Sequence, residues 1–572
     1  MKIPPKGAEW QLNINEEYNL WLQHTADNQE LHQELVAMQN NKAQIEDAFY
    51  CELAFGTAGL RGVMGAGTNR MNSYIVARAS QGVANYLKQN QAQPAVVIGY
   101  DSRNNSRKFA EITAAVFAAN GIKVHIWPEL MPVPTVSFAT RYLNAAAGIM
   151  ITASHNPAKY NGYKVYGADG CQITTEAANS ILAEINKLDI FKDVKKADFQ
   201  TALASQQINY IDDAVYIAFI KEVKQQSVLF GEEVQKDAAI VYTPLNGTGL
   251  KPVTQILAEA GYTNIKIVPE QKLPDGNFPT CPYPNPELAE ALNLGIEYAR
   301  TNNADLLLAT DPDCDRVGIA VRDEHDEYQI LTGNQVGVLL LDYICSQRSK
   351  HHQRPEAAVM IKTVVTTAMA EQIAQSYGVR TINVLTGFKY IGEQIGILEQ
   401  KGKAGNYIFG FEESCGYLSG HYVRDKDGVN AAFLICEMYS YYATHGVSIL
   451  QKLAELYKKH GYSINLTCSY EFDGSTGLVK MQQIMNNLRQ GVAEFAGKRV
   501  TTVLDYAEGI NGLPAENMLQ FTLEDNCSVI VRPSGTEPKL KTYIYAIGES
   551  KVQAEQIAED LIASSKELLI RV

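Results

Sequence analysis

The sequence predicts an α/β protein with three similar α/β domains, each with a mixed, mostly parallel sheet, followed by a smaller C-terminal α+β domain. The chain has 572 residues, and at roughly 150 residues per domain this length suits three or four domains. A succession of strand, polar turn, helix and second strand begins near residues 95, 238 and 357. Such alternation is typical of domains with a mostly parallel sheet.

Each of these three units opens with an apolar strand that runs into a polar turn. The helix that follows has apolar residues at helical spacing, and a second strand completes the unit. The units read AVVIGYDSR, SRKFAEITAAVFAANG and KVHIW; AAIVYTPLNGTG, LKPVTQILAEAG and NIKIVP; and AAVMIKTVVTT, AMAEQIAQSYG and TINVLTG. They share layout more than residues, which indicates related domains rather than close repeats.

The two ends of the chain differ from these units. The polar segment before residue 50 contains EEYNLWLQHT and LHQELVAMQ, which predict a helical extension. Near the other end, SVIVRPSGTEPKLKTYIYAIG favours antiparallel strands joined by a loop, and ESKVQAEQIAEDLIASSKELL predicts a closing amphipathic helix. This change of pattern predicts the separate α+β domain.

Composition excludes several classes of protein. The net charge of −13 argues against a broad nucleic-acid surface, which needs a basic face. The sequence has no apolar run of about 18 residues, so no membrane span is expected. The nine cysteines include no CxxC pair, which predicts neither a disulfide framework nor a zinc site. With no apolar signal segment in MKIPPKGAEW, these features predict a cytoplasmic protein.

The turn TASHNP places Ser154 just after an apolar strand that ends near Ile151. In α/β domains, ligands bind at the carboxyl ends of strands. A serine there acts as a nucleophile when a base is near and its charge is stabilised. The alternative is an ordinary turn serine, because Ser, Asn and Pro dominate turns. The motif alone favours the turn, so other parts of the chain must decide.

A carboxylate triplet follows the apolar run ADLLLAT, at Asp311, Asp313 and Asp315. Three such groups repel one another unless a hard cation neutralises them, and oxygen ligands favour Mg²⁺ or Ca²⁺ over zinc. An EF-hand is excluded, because Arg316 and Arg322 stand where its Gly and Glu are required. A solvated acidic turn is the alternative, and the flanking strands make it the weaker one.

Several further loops carry polar groups. Arg532 and the SGT that follows suit a phosphate, although a plain hairpin turn explains them about equally well. In FEES, Glu412 and Ser414 are suited to sugar hydroxyls, with a charged surface loop as the alternative. The Gly-rich loop FGTAGLRGVMGAGTNRMN carries Arg61 but lacks the spacing of a nucleotide-binding loop.

Taken together, these loops resemble the α-D-phosphohexomutase superfamily over nearly the whole chain. The serine loop is T-A-S-H-N-P, the metal loop D-P-D-C-D-R, the sugar loop F-E-E-S and the phosphate loop R-P-S-G-T-E-P-K, in the family's order. The family arranges four domains around a central cleft, with one loop from each. Within it, F-E-E-S and L-T-G-F-K-Y-I-G are most similar to the phosphoglucomutase-2-type branch. A shorter branch carries G-E-M-S-G-H instead, which weakens a mannose assignment.

The resemblance implies where the domains lie. We expect an N-terminal helical extension at 1–45 and four domains after it. They are domain I at 46–212 with the phosphoserine loop, domain II at 213–331 with the metal loop, domain III at 332–460 with the sugar loop, and domain IV at 461–572 with the phosphate loop.

The resemblance also implies a role for each matching residue. Ser154 is implied to carry the phosphoryl group and to bind Mg²⁺ together with Asp311, Asp313 and Asp315. The other residues implied to act in catalysis are Arg61, His155, Lys164 and Arg316. Lys164 is either the general base or acid, or a phosphate contact. The residues implied to bind substrate are Thr386, Gly387, Lys389, Glu412, Ser414, His421, Lys426, Arg532, Ser534, Gly535 and Thr536.

The implied activity is interconversion of glucose 1-phosphate and glucose 6-phosphate, with glucose 1,6-bisphosphate as intermediate and activator. Phosphopentomutase or phosphomannomutase activity is the alternative with the same mechanism. A metal-dependent phosphatase and a non-catalytic phosphosugar sensor are alternatives of other classes. The separate phosphate loop disfavours the first, and the intact serine and aspartates disfavour the second. The expected partner is a small sugar phosphate, with neither nucleic acid nor membrane, and the expected state is a monomer or weak homodimer.

Overall fold

The computed structural model describes residues 9–57, 59–472, 474–510, 512–533 and 539–570. The chain forms two compact units, which are described separately. The first comprises Met1–Gln226, Lys236–Arg322 and His421–Phe433, and the second comprises Ser227–Gln235, Asp323–Gly420 and Leu434–Val572. Among the described residues, no helix combines the length and the apolarity needed to cross a membrane.

The first unit begins with three helices, α1 (Glu9–His24), α2 (Gln29–Met38) and α3 (Lys42–Phe49). The fully buried ring of Trp21 makes edge contacts with the rings of Phe49, Tyr74 and Phe191. Aromatic pairs of this kind stabilise beyond their buried area. The helices therefore share one hydrophobic core with the sheet domain that follows them.

That domain has a six-stranded mixed sheet in the order β1-β5-β4-β2-β3-β6. Strands β4, β2, β3 and β6 are parallel, whereas β1 and β5 are antiparallel to their neighbours. Its strands are β1 (Leu60–Val63), β2 (Ala95–Tyr100), β3 (Lys123–Ile126), β4 (Ala147–Ile151), β5 (Tyr160–Gly167) and β6 (Ile208–Tyr210). Its helices are α4 (Ser73–Asn90), α5 (Ser106–Ala119), α6 (Val133–Tyr142), α7 (Thr175–Ile185), α8 (Phe199–Ala204) and α9 (Asp213–Lys224).

The second sheet of the first unit places β9 beside β10 and β7, in the order β10-β9-β7-β8. Strand β7 is parallel to β8 and β9, and β10 turns back antiparallel to β9. Its elements are β7 (Ile240–Thr243), α10 (Leu250–Glu259), β8 (Ile265–Ile267), α11 (Pro269–Lys272), α12 (Ala289–Thr301), β9 (Leu306–Thr310) and β10 (Val317–Arg322). The tight reversal from β9 to β10 holds the aspartate triplet.

The second unit contains a third mixed sheet, in the order β13-β12-β14-β15. Strand β12 is parallel to β13 and β14, and β15 is antiparallel to β14. The elements of this stretch of chain are β11 (Tyr328–Leu331), α13 (Gly333–Lys350), β12 (Val359–Thr363), α14 (Met369–Ser376), β13 (Arg380–Val384), α15 (Phe388–Gln400), β14 (Tyr407–Glu412), β15 (Gly416–Leu418), α16 (Gly428–Thr444) and α17 (Ile449–His460).

The last sheet has the order β16-β21-β20-β19-β18-β17, and all its pairs are antiparallel. Its elements are β16 (Tyr462–Glu471), α18 (Gly474–Arg489), β17 (Glu494–Phe495), β18 (Lys498–Asp505), β19 (Leu519–Leu523), β20 (Ser528–Pro533), β21 (Lys539–Gly548) and α19 (Lys551–Ile570). The predicted fold class, three α/β domains with mixed sheets and a smaller α+β domain, is confirmed.

Asn72 connects helix α4 to the Gly-rich loop before it. Its Oδ1 accepts from the N–H groups of Tyr74 (3.1 Å) and Ile75 (3.0 Å), and its Nδ2 donates to the carbonyls of Gly65 (2.9 Å) and Gly67 (3.0 Å). We expect Asn72→Ala to lower the free energy of unfolding by about 2–3 kcal/mol, since it removes a cap and leaves buried polar groups unsatisfied. Urea unfolding followed by circular dichroism measures this change.

The matched control is Asn41→Ala, at the exposed N-cap of α3. Among the described residues, this side chain accepts a single hydrogen bond, from Gln44 N (3.2 Å). Its loss is expected to cost about 1 kcal/mol or less. An equal loss of stability in both variants would contradict the role given to Asn72.

Candidate active site

Ser154 lies in the turn that follows β4, where the sequence predicted it. The residue is 3% exposed and has a left-handed backbone with φ +52°. Its Oγ donates to Asp311 Oδ2 at 2.9 Å and lies 3.2 Å from His155 Nδ1, and its N–H donates to Thr152 Oγ1 at 2.8 Å. A non-glycine residue in this conformation costs about 1 kcal/mol or more, so surrounding contacts must hold the turn.

The aspartate triplet forms a buried cluster in the turn from β9 to β10. One carboxylate oxygen from each of Asp311, Asp313 and Asp315 lies within 4.8 Å of the others, and each residue is at most 1% exposed. Burial, with the charges of Asp313 and Asp315, raises the pKa of Asp311 well above its ordinary value. Among the described residues, Asp313 Oδ1 and Asp315 Oδ1 have no hydrogen-bond partner. Buried, charged oxygens with spare acceptor capacity fit a divalent cation such as Mg²⁺.

Two buried lysines contact the same cluster. Lys164, on β5, places Nζ 2.9 Å from Asp313 Oδ2 and 3.3 Å from Asp315 Oδ2. Lys426 Nζ lies 3.2 Å from Asp315 Oδ2. Burial alone would lower the pKa of Lys164, but the two carboxylates outweigh it and raise that pKa above its ordinary value. The site therefore holds two ammonium groups against three carboxylates.

The other residues predicted to act in catalysis also lie in the first unit. Burial and the charges of Arg316 and Arg61 hold the pKa of His155 well below its ordinary value. Arg61 lies on the short strand β1 rather than in a loop, and its Nη1 donates to Asn156 Oδ1 at 3.2 Å. The Arg316 side chain pairs with Glu287, and its backbone N–H donates to Asp311 Oδ1 at 3.0 Å.

Sequence reasoning missed two buried charges at this site. Arg103 donates to carbonyl oxygens of the Ser154 turn. Asp425, which is 1% exposed, accepts from Tyr166 Oη and Gln172 Nε2, each at 2.9 Å. Each had one weak signal in the sequence. Arg103 follows strand β2 in a polar turn, and Asp425 directly precedes Lys426.

The residues predicted to bind substrate lie mostly in the second unit. Glu412 ends β14, and its Oε1 accepts from Gly387 N at 3.0 Å. Gly387 has φ +120°, a conformation that L side chains rarely adopt. Thr386 Oγ1 is buried without a hydrogen-bond partner among the described residues, and Lys389 Nζ lies 4.6 Å from the ring centroid of Tyr390. The hydrogen bond from Gly387 to Glu412 therefore connects the T-G-F-K turn to the F-E-E-S loop.

The remaining predicted positions are more dispersed. Ser414 is partly exposed in the turn after β14. Arg532, on β20, forms an ion pair with Glu516. Ser534, Gly535 and Thr536 lie outside the described residues. His421 belongs to the first unit and is exposed, and its backbone carbonyl accepts from Arg424.

Four family profiles match the chain, in order and over most of its length. They are described as phosphoglucomutase/phosphomannomutase alpha/beta/alpha domain I at residues 52–191, domain II at 214–324, domain III at 332–460, and the C-terminal domain at 481–564. These matches define a phosphohexomutase, an enzyme of the isomerase kind.

Curated relatives and solved structures agree with the profiles. The chain is 35% identical to a phosphoglucomutase of Staphylococcus haemolyticus over 528 residues, which covers 90% of this chain and 94% of that protein. It is 36% identical to a phosphoglucomutase of Staphylococcus saprophyticus, covering 92% and 95%. In fold it is similar to the open form of parafusin, a phosphoglucomutase from Paramecium, with TM-score 0.70, 18% identity and coverage of 91% and 95%. The chain belongs to the phosphoglucomutase/phosphomannomutase family of α-D-phosphohexomutases.

Proposed function

We propose that this protein is a phosphoglucomutase that interconverts glucose 1-phosphate and glucose 6-phosphate in the cytoplasm, through a phosphoserine at Ser154 and glucose 1,6-bisphosphate. The observation that carries the proposal is the 2.9 Å contact of Ser154 Oγ with Asp311 Oδ2, inside a buried cluster of aspartates and lysines. The relatives named phosphoglucomutase, at 35–36% identity, support glucose as the sugar.

The residues around Ser154 have different roles in phosphoryl transfer. Asp311, Asp313 and Asp315 would hold Mg²⁺, and a bound divalent cation supplies charge neutralisation for the transferring group. The ammonium groups of Lys164 and Lys426 add positive charge to a water-poor site, where it stabilises developing negative charge strongly. We assign Lys164 either to proton exchange with the reacting sugar hydroxyl or to contact with the phosphoryl group. Phosphoryl transfer depends mainly on such positioning and charge.

Residues of the second unit are also proposed to bind substrate. Glu412 and Ser414 are assigned to the 3- and 4-hydroxyls of the sugar. Thr386, Gly387 and Lys389 are assigned to support this sugar loop. The residues assigned to the phosphate that does not react are Arg532, Ser534, Gly535 and Thr536. Binding energy at this distant phosphate lowers the barrier at the reacting one. Because the bisphosphate intermediate must turn round, the same residues must accept either phosphate.

The proposal is tested by coupled assays with the 1-phosphates of glucose, mannose and ribose, with Mg²⁺ and a trace of the matching bisphosphate. We expect the highest kcat/KM with glucose 1-phosphate and no steady release of inorganic phosphate. Negligible turnover of glucose 1-phosphate would refute the proposal. Preferred turnover of ribose or mannose phosphate would replace it with the alternative mutases, and steady phosphate release would indicate a phosphatase.

Asp425→Ala is expected to lower kcat by about 10- to 100-fold, because Asp425 supports Lys426. Asp425 Oδ1 lies 3.6 Å from Lys426 Nζ, and removal of the carboxylate also leaves Tyr166 Oη and Gln172 Nε2 without their acceptor. Steady-state kinetics measures the effect. Tyr166→Phe, which removes only one of these donors, is the milder control. An Asp425→Ala enzyme with wild-type kcat would show that Lys426 needs no such support.

A further inference from the structure

We propose that Arg103 is a positioning residue that sets the backbone of the Ser154 turn for phosphoryl transfer. The inference rests on the proposed function, since it concerns the geometry of the serine that carries the phosphoryl group. Among the described residues, Arg103 makes no hydrogen bond to Asp311, Asp313 or Asp315, or to the two lysines of the cluster. It acts on the reaction through the geometry of the Ser154 turn.

The guanidinium of Arg103 reaches both limbs of the turn between β4 and β5. It donates to the carbonyl oxygens of Ser154 and Asn156, of Pro157 at 3.0 Å and of Tyr160 at 3.2 Å. One planar group with five N–H donors can satisfy several carbonyls in a fixed arrangement. The four carbonyls are thereby fixed relative to one another.

The turn needs such support, because few of its own backbone groups hold it. Ser154 has φ +52°, and strained residues persist only where the surroundings over-determine them. Within the turn, Asn156 N donates to Ala153 O at 3.2 Å and Tyr160 N to Pro157 O at 3.0 Å. The Arg103 side chain is fully buried. Its hydrogen bonds link the two parts of the turn that these backbone bonds hold separately.

Arg103 is itself held from two sides. Asp101 Oδ2 lies 3.3 Å from Arg103 Nε, and Asp101 Oδ1 accepts from Arg103 N at 2.9 Å and Ser106 Oγ at 2.6 Å. From the loop after α11, the buried ring of Phe278 has its centroid 5.0 Å from Arg103 Cζ. Asp101 balances the charge of the guanidinium, so the main contribution of Arg103 is to geometry.

The loop that carries Phe278 packs closely against the polar turn that follows β2, in which Arg103 lies. A Cβ on Gly276 would lie 2.3 Å from Asn104 N, and Asn104 Nδ2 donates to Asn277 Oδ1 at 2.9 Å. Domain II therefore holds Arg103 against the phosphoserine turn of domain I.

The test compares Arg103→Lys and Arg103→Ala with wild type in single turnover. Dephosphorylated full-length enzyme is mixed with glucose 1,6-bisphosphate and Mg²⁺, and phosphorylation of Ser154 is followed by intact-protein mass spectrometry, at a temperature where circular dichroism shows each variant folded. We expect Arg103→Lys to slow transfer by about 10- to 100-fold, since a displacement near 1 Å costs about that much. We expect KM for glucose 1-phosphate to change less than kcat.

Arg103→Ala is expected to be slower still, and to be rescued at least in part by low millimolar guanidinium, which fits the space left by the side chain. In Arg103→Lys the lysine side chain occupies the space that guanidinium would enter, so guanidinium should not rescue that variant. The matched control is Arg107→Ala, an exposed arginine with an i,i+4 partner in Glu111, for which we expect a wild-type rate.

Wild-type transfer rates in folded Arg103→Lys and Arg103→Ala would overturn the inference while leaving the proposed function intact. Reduced melting temperature with unchanged transfer would also overturn it, since Arg103 would then be structural only. If wild-type enzyme itself neither accepts the phosphoryl group nor turns over glucose 1-phosphate, the proposed function fails instead.

Discussion

Ser154→Ala is expected to abolish turnover, with kcat lower by about 10³-fold or more, because loss of the nucleophile removes the covalent route. No other described hydroxyl donates a hydrogen bond to Asp311. The variant should also carry no added phosphoryl group after incubation with glucose 1,6-bisphosphate. Coupled assays and intact-protein mass spectrometry measure both effects on the same sample.

The fold of Ser154→Ala should be preserved, since the change removes one oxygen from a side chain with a small packing contribution. The control is Ser180→Ala, at an exposed helical serine whose hydroxyl donates to Glu176 O at 3.0 Å, for which we expect wild-type activity. Retained turnover in a Ser154→Ala enzyme free of wild-type contamination would refute the phosphoserine mechanism.

Asp311→Asn is expected to separate stability from activity. The substitution keeps the shape of the side chain and removes one negative charge from a buried cluster of three, so the metal-depleted variant should be at least as stable as metal-depleted wild type. Activity should nevertheless fall by about 10³-fold or more, because the loss weakens cation binding at the reacting serine. The two effects have opposite directions, which few other substitutions would produce.

Thermal unfolding with added EDTA or Mg²⁺ measures the first effect. Mg²⁺ should raise the melting temperature of wild type, as any ligand that binds only the folded state does, and should raise that of Asp311→Asn much less. The control is Asp213→Asn on the exposed surface of α9, which should respond to Mg²⁺ as wild type does. If Mg²⁺ raised the melting temperature of Asp311→Asn as much as that of wild type, Asp311 would not be a ligand of the cation.

The sequence predicts the fold class, because the fold class follows from local patterns of apolar and polar residues. Apolar strands that end in polar turns predict that Ser154 and the aspartates follow strand ends, and in the structure they follow β4 and β9. The resemblance then assigns these residues to one reaction. The structure adds the direct contacts, which join Ser154 to Asp311 and Lys164 to Asp313 and Asp315.

The supporting contacts were beyond sequence reasoning for a physical reason. Arg103 is separated from Ser154 by 51 positions in the chain, and Asp425 from Tyr166 by 259. Such pairs form only when distant parts of the chain fold together, and a single Asp or Arg in a polar turn looks like ordinary surface. The sequence placed Arg61 in a loop, whereas the structure places it on a strand. Strand β1 is a four-residue edge strand, and its residues LRGV lack the alternation of apolar and polar residues that predicts a strand.

The left-handed backbone at Ser154 has a counterpart at Cys314, which has φ +52° between two of the aspartates. Glycine adopts this conformation at lower cost than either residue. At 314, however, glycine would remove a side chain that is fully buried and would leave a cavity. At 154 a redesign guided by thermostability alone would choose glycine and would lose the proposed phosphoryl carrier. Selection for activity and selection for robustness thus pull this one position in opposite directions.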